Sequence, residues 1–250
     1  MRVIVIGGTG HAGGAVVEAL GARGHQAVPV SRSSGVDVVS GDGVTEALRG
    51  ADVVVDTVNP DSMEYDPARD FFTAATANLL EAGREAGVGH HVTLSILGID
   101  RVPDLGYYRA KLDQESAVAE QAGPVPYTIV RSAQFFDFVP TVVDAATEGD
   151  VARLSPTRLQ PIALTDLGRL IAETAVGQPH GGTSEIAGPD PIGLDEMATR
   201  LFAARGRQVE VDSSPDHRPF FGAAVPADAL LPGPDARLGE TTFEQWLRGG

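Results

Sequence analysis

The stretch Val3-Ile4-Val5-Ile6-Gly7-Gly8-Thr9-Gly10-His11-Ala12-Gly13 decides the fold. Four consecutive β-branched residues read as a short strand buried on both faces. The glycines end it, and from His11 to Arg23 the apolar residues Ala12, Val16, Val17 and Leu20 recur at helical spacing. Gly7, Gly10 and Gly13 fit the pattern GxxGxxG, while Gly8, Gly10 and Gly13 fit GxGxxG. Without side chains, the backbone turns sharply and approaches a pyrophosphate, and the helix that follows offers its N–H groups and the positive end of its dipole. A glycine pattern alone says little. Placed between a strand and an amphipathic helix, it makes Gly7, Thr9, Gly10, His11, Ala12 and Gly13 candidate dinucleotide contacts.

Outward from this unit, strands and helices alternate. Strands are expected at Gln26–Ser31, Asp37–Ser40, Asp52–Val58, His91–Ser95 and Tyr127–Arg131. A helical turn is expected at Val44–Arg49 and helices at Pro67–Ala86 and Tyr107–Gln121. Such alternation in apolar runs predicts a Rossmann-type, doubly wound parallel sheet covered on both faces. Pro and Gly become denser after Gly149. We therefore expect an NAD(P)-binding core over residues 1–150. Residues 151–250 would supply the remaining sheet elements and a small C-terminal substrate-binding region, with helices at Thr165–Val176, Leu194–Ala204 and Thr242–Arg248, in one integrated domain.

Composition narrows the function. The chain has 250 residues, 42% hydrophobic and 21% charged, which suits a globular α/β protein. Met1–Ile6 runs directly into the glycine turn, without the long apolar segment of a secretion signal, and no apolar run is long enough to cross a membrane. The absence of cysteine removes disulfides and thiolate chemistry and fits a cytoplasmic protein. A net charge of −15 disfavours nucleic acid and anionic membrane as partners and leaves a small-molecule substrate. The six histidines lack metal-ligand spacing, so no metal site is expected. No G-x-S-x-G elbow is present.

The second strand bears on the cofactor. An acid there would bind a ribose 2′-hydroxyl, whereas arginine accommodates a 2′-phosphate. The strand runs out into Ser31-Arg32-Ser33-Ser34, so NADP(H) is favoured over NAD(H), with Ser31 and Arg32 as contacts. Asp42 either faces the adenine or caps a turn. Thr57 and Asn59 follow the next strand at the cofactor edge, although Asn59 before Pro60 also suits a turn.

Eighteen of the 19 basic residues are arginine; Lys111 is the exception. It completes Tyr107-x-x-x-Lys111, two residues one helical turn apart. A chain that otherwise uses arginine keeps lysine where a compact point charge is needed. An ammonium beside a phenol should lower its pKa and make Tyr107 an acid–base group. Ser95, ending the preceding strand, would help polarise a substrate oxygen. Gln134, Phe135 and Phe136 follow Arg131, and either shape a substrate pocket or pack in the core.

Four segments together resemble the atypical short-chain dehydrogenase/reductases of the NmrA-like, NAD(P)-binding group: Gly7–Gly13, Ser95-Ile96-Leu97-Gly98, Tyr107–Lys111 continuing through Glu115, and Tyr127–Phe136. The resemblance implies Tyr107 as proton donor, Lys111 on the nicotinamide ribose and Ser95 as a substrate-polarising hydroxyl. The resulting expectation is an NAD(P)H-dependent oxidoreductase that reduces a carbonyl, enone or quinone. The alternatives are a non-catalytic NAD(P)-sensing regulator and a sugar-nucleotide epimerase or dehydratase.

Overall fold

The computed structural model describes residues 1–220 and 222–249. Val3, Ile4, Val5 and Ile6 form most of β1 (Arg2–Ile6) and are almost wholly excluded from solvent. β1 lies between β2 (Gln26–Val30) and β3 (Val53–Asp56), and pairs in parallel with both. Parallel pairing demands crossovers. They are supplied by α1 (His11–Ala22), by α2 (Val44–Leu48) and by α3 (Tyr65–Ala86). β4 (His90–Ile96), α4 (Gly106–Gln121) and β5 (Tyr127–Ser132) continue the alternation.

After β5 come α5 (Val139–Ala145), β6 (Thr147–Glu148), β7 (Val151–Leu154), β8 (Arg158–Leu159) and α6 (Leu164–Val176). Next are β9 (Gly182–Ala187), β10 (Ile192–Gly193), α7 (Leu194–Ala204), β11 (Glu210–Ser213), β12 (Arg237–Leu238) and α8 (Phe243–Gly249). The main sheet has the order β2-β1-β3-β4-β5-β9-β12, every pair parallel. It is a Rossmann-type sheet. The chain runs outward from β1 to β2 and returns to the other side of β1 at β3. A crevice therefore opens at the carboxyl ends of β1 and β3, the topological switch point where such sheets bind ligands.

Each face is covered by apolar packing. Val16 and Leu20 of α1 join Leu167, Leu170 and Ile171 of α6 over Val3, Val5, Val53 and Val55. On the opposite face Leu79 of α3 and Leu48 of α2 meet Ile4, Ile6 and Val54. Alternate residues of one strand thus serve opposite layers, which explains why these strands read as unbroken apolar runs. A further cluster gathers Phe136, Leu154, Leu194, Phe202, Phe220 and Phe243 from the later elements. The small sheets β11-β7-β6 and β10-β8 lie outside the main one.

One expected strand is absent. Asp37–Ser40 forms a turn: the Asp37 carboxylate accepts the N–H groups of Val39 and Ser40 at 2.8 and 3.2 Å, and the Asn78 amide holds the Val38 and Val39 carbonyls. An acid that satisfies its own backbone competes with a sheet ladder. No helix among the described residues is long and apolar enough to cross a membrane.

Candidate functional site

The glycine loop is held by close backbone approach. Gly7 has φ +77°, in the left-handed region. A Cβ on Gly13 would overlap the Gly7 carbonyl and stand 2.7 Å from Thr57 Oγ1, so a side chain there would force the loop from α1. The loop's own N–H groups are spent on the turn: Gly7 donates to the Val30 carbonyl at 2.8 Å and Gly10 to that of Gly7 at 2.9 Å. Gly10 caps α1 with backbone only, and the first turn of the helix carries no acid. The first N–H groups of α1 are therefore left for an external anion, and the bare cradle fits the pyrophosphate of a dinucleotide.

A cavity of about 740 Å³ runs from this cradle along the carboxyl edge of the sheet. Gly7, Gly10, His11, Ala12 and Gly13 line one end; Thr57 and Asn59 follow from β3, Leu94–Ile96 from β4 and Ser132–Phe135 from β5. From β1 to β5 is three strand spacings, about 14 Å. Tyr107, Tyr108 and Lys111 enter from α4. Most of the expected site residues are thereby brought to one concavity.

The Tyr107 hydroxyl donates to Asn59 Oδ1. The expectation that Lys111 would lower its pKa is overturned. Burial pushes the phenol well above its ordinary value, and the neighbouring Tyr108 adds to the rise. Lys111 itself is only 3% exposed. Its Nζ donates to the Leu94 carbonyl at 2.7 Å and to Gln114 Oε1, and lies 4.5 Å from the centre of the Phe72 ring. Burial pulls its pKa down to about 8, against the opposing pull of Asp56 and Glu115. Gln114 Nε2 in turn donates to Asp56 Oδ2 at 3.1 Å. Asp56 is fully enclosed and its pKa is raised, chiefly by loss of water, while Lys111 opposes the rise.

Ser95 is buried, and its hydroxyl donates to Glu115 Oε1 at 2.6 Å. Glu115 is also gripped by Arg131, whose Nη2 lies 2.7 Å from Oε2 and whose Nη1 reaches Asp100 at 3.0 Å. The structure thus pairs Ser95 with Glu115 rather than with Tyr107.

Residues 7–175 match a family model described as NAD(P)H-binding. The chain belongs to that family. The resemblance drawn from the four segments agrees with this membership. Among curated relatives, the chain is similar to the chloroplastic divinyl chlorophyllide a 8-vinyl-reductase of Cucumis sativus, with 27% identity over 247 residues, covering 80% of this chain and 57% of the relative. The chain therefore spans well under two thirds of that relative's length. Among solved structures it is similar to an NADPH-dependent quinone oxidoreductase from Escherichia coli in complex with NADPH, with TM-score 0.70 and 19% identity over 92% of this chain and 88% of the other. It is also similar to the triphenylmethane reductase of Citrobacter sp. complexed with NADP(H), with TM-score 0.67 and 21% identity over 86% and 79%. These two likenesses speak for the fold of the family.

Several expected residues lie apart from the cavity wall. Thr9 is exposed beyond the lining. Asp42 sits in the Asp37–Gly43 turn, where its carbonyl accepts the Asp37 N–H at 2.9 Å. Ser31 caps the 3₁₀ turn Arg32–Ser34, and the exposed Arg32 guanidinium stands 3.5 Å from Asp61. Thr57 lines the cavity, but its hydroxyl donates to the Ile6 carbonyl at 2.8 Å and ties β3 to β1. Gln134 and Phe135 line the cavity; Phe136 does not. It is buried against Phe243 and Trp246, at ring separations of 5.5 and 5.8 Å, as core packing. The residues that sequence reasoning passed over are Asp56, Gln114, Glu115 and Tyr108. Gln114 and Glu115 follow Lys111 at the i+3 and i+4 steps, a spacing that marks them as its neighbours. Asp56 was visible as an acid at the end of a β-branched run.

Proposed function

We propose that this chain is an NADPH-dependent reductase of a small carbonyl or quinone substrate, with Tyr107 as the proton donor. The observation that carries this reading is a single cavity that joins the glycine cradle to the Tyr107 hydroxyl. NADPH, when bound, supplies the hydride. Tyr107 supplies the proton: its O–H, kept neutral by burial, is positioned by Asn59 and transfers to the substrate oxygen as negative charge develops there. At neutral pH the phenol carries its proton and can donate it. Hydride on carbon and this proton on oxygen convert a ketone to an alcohol. On a quinone the same two additions give a dienone tautomer, which becomes the hydroquinone when its carbon-bound proton is lost to solvent and the second oxygen is protonated. Solvent restores the phenol.

Lys111 would bind a ribose hydroxyl. Its ammonium has three donors, of which Leu94 and Gln114 take two. Arg32, weakly paired and exposed after a strand that ends without an acid, would meet a 2′-phosphate. Ser95 is left out of the chemistry because Glu115 holds its proton.

The test combines nucleotide binding with turnover. NADPH should bind more tightly than NADH, and Arg32→Ala should weaken NADPH by about tenfold, or 1.4 kcal/mol, with little change for NADH. Tyr107→Phe should keep NADPH affinity while reduction of a panel of aldehydes, ketones and quinones drops by at least 100-fold, the usual range for losing a general acid. Full activity in Tyr107→Phe sinks the assigned role. A parent protein that binds NADPH and reduces nothing in the panel supports the NAD(P)-sensing regulator instead.

A further inference from the structure

Beyond Tyr107 the cavity wall changes character. Leu105, Phe135, Phe138 and Phe220 give it apolar and aromatic faces, while Tyr108 and Gln134 supply neutral polar groups. Gln134 Nε2 donates to the Tyr108 hydroxyl at 3.3 Å, and Gln134 Oε1 is buried without a hydrogen-bond partner. An uncompensated amide oxygen beside a cavity is satisfied when a ligand supplies the missing contact.

The cavity lining carries two carboxylates against one ammonium, that of Lys111. Glu64 and Asp104 line the cavity as exposed side chains, and neither carboxylate is in an ion pair among the described residues. No arginine lines it among those residues. The nearby ones are committed elsewhere: Arg101 to the Leu231 carbonyl at 2.9 Å, Arg109 over the Tyr65 ring at 4.1 Å, and Arg131 to Glu115 and Asp100. The Lys111 ammonium is turned to Leu94 and Gln114. A phosphate, sulfonate or carboxylate on the substrate would meet no arginine here and would face two exposed carboxylates. The net charge of −15 adds to the repulsion.

Resting on the reductase reading above, we infer that the site selects aromatic carbonyl compounds that carry no anionic group. Glu64 and Asp104 determine that selection by charge. Tyr108 and Gln134 hold the neutral polar edge of the ring.

The experiment measures equilibrium binding to the NADP⁺-loaded protein, so that it reads affinity independently of turnover. The probes are 2-methyl-1,4-naphthoquinone and 1,4-naphthoquinone-2-sulfonate. At low ionic strength the neutral quinone should bind at least tenfold more tightly. That ratio should fall at least threefold in the double variant Glu64→Gln, Asp104→Asn, and should also fall in 0.5 M salt, since rim charges are screened. Equal or tighter binding of the sulfonate, or a ratio unchanged in the double variant, overturns the inference on charge alone. If NADP⁺ binds and neither quinone does, the carbonyl-reductase reading falls as well.

Discussion

A chain with a single lysine allows its protonation to be read in the stability of the fold. Lys111 is buried, and its pKa is pulled from 10.5 down to about 8. Between those values the unfolded chain holds a proton that the folded chain has released. The unfolded state then binds more protons, so stability rises with pH across this window. Crossing the whole window corresponds to roughly 3 kcal/mol. From pH 7 to 9.5 the accessible part is about 2 kcal/mol. The background is unusually quiet, because the chain has neither cysteine nor a second lysine to titrate there. Above pH 10 the partly buried Tyr107 and Tyr108, whose pKa values are raised, oppose the trend, so the measurement stops short of it. Urea unfolding can be followed through Trp246, the sole tryptophan, which packs on Phe136 and Phe243. With m of about 2–3 kcal/mol/M, the midpoint should rise by nearly 1 M between pH 7 and 9.5. Lys111→Met should abolish the rise. A parent midpoint that stays flat or falls, or a methionine variant that keeps the rise, refutes the buried, proton-releasing lysine.

What the sequence revealed and what it hid follow from the range of the interactions involved. β1, the glycine turn and α1 are local, since strand, turn and helix each carry their signal within a dozen residues. Tyr107 and Lys111 are equally local, one turn apart on α4. The Asp37–Ser40 strand failed because a single acid capping two N–H groups outweighed a short apolar pair. β9 escaped because Gly182-Thr-Ser-Glu-Ile-Ala gains its strand character from pairing with β5 and β12, 50 residues away in each direction, rather than from its own propensities. The same distinction runs through the site. Proximity of Tyr107 to Lys111 is legible in spacing, but the direction of the phenol's pKa shift is set chiefly by its burial, while the ammonium is turned elsewhere. Leu94, Gln114 and Asp56 converge on that ammonium from two strands and a helix, and draw it toward themselves. Phe135 and Phe136 show the limit most simply: adjacent aromatics after one strand separate into cavity wall and core, because consecutive side chains leave the backbone in different directions.

Two further outcomes bear on the site. Gly13→Ala should cost at least 100-fold in NADPH affinity, because its methyl group would displace the Gly7 carbonyl and Thr57; isothermal titration that finds parent-like affinity removes the cradle from the argument. Ser95→Ala separates the two roles open to that hydroxyl. If the hydroxyl polarised the substrate, its removal would lower kcat by about 10² or more, as the loss of an oxyanion-stabilising donor does. In the structure its proton is held at 2.6 Å by Glu115, itself fixed by Arg131. Removing a hydrogen bond to a buried carboxylate costs about 1.5–3 kcal/mol of stability. The expected result is therefore a lower urea midpoint with kcat for quinone reduction changed less than threefold. A 100-fold fall in kcat at an unaltered midpoint would return Ser95 to the reacting centre and make the Glu115 contact incidental.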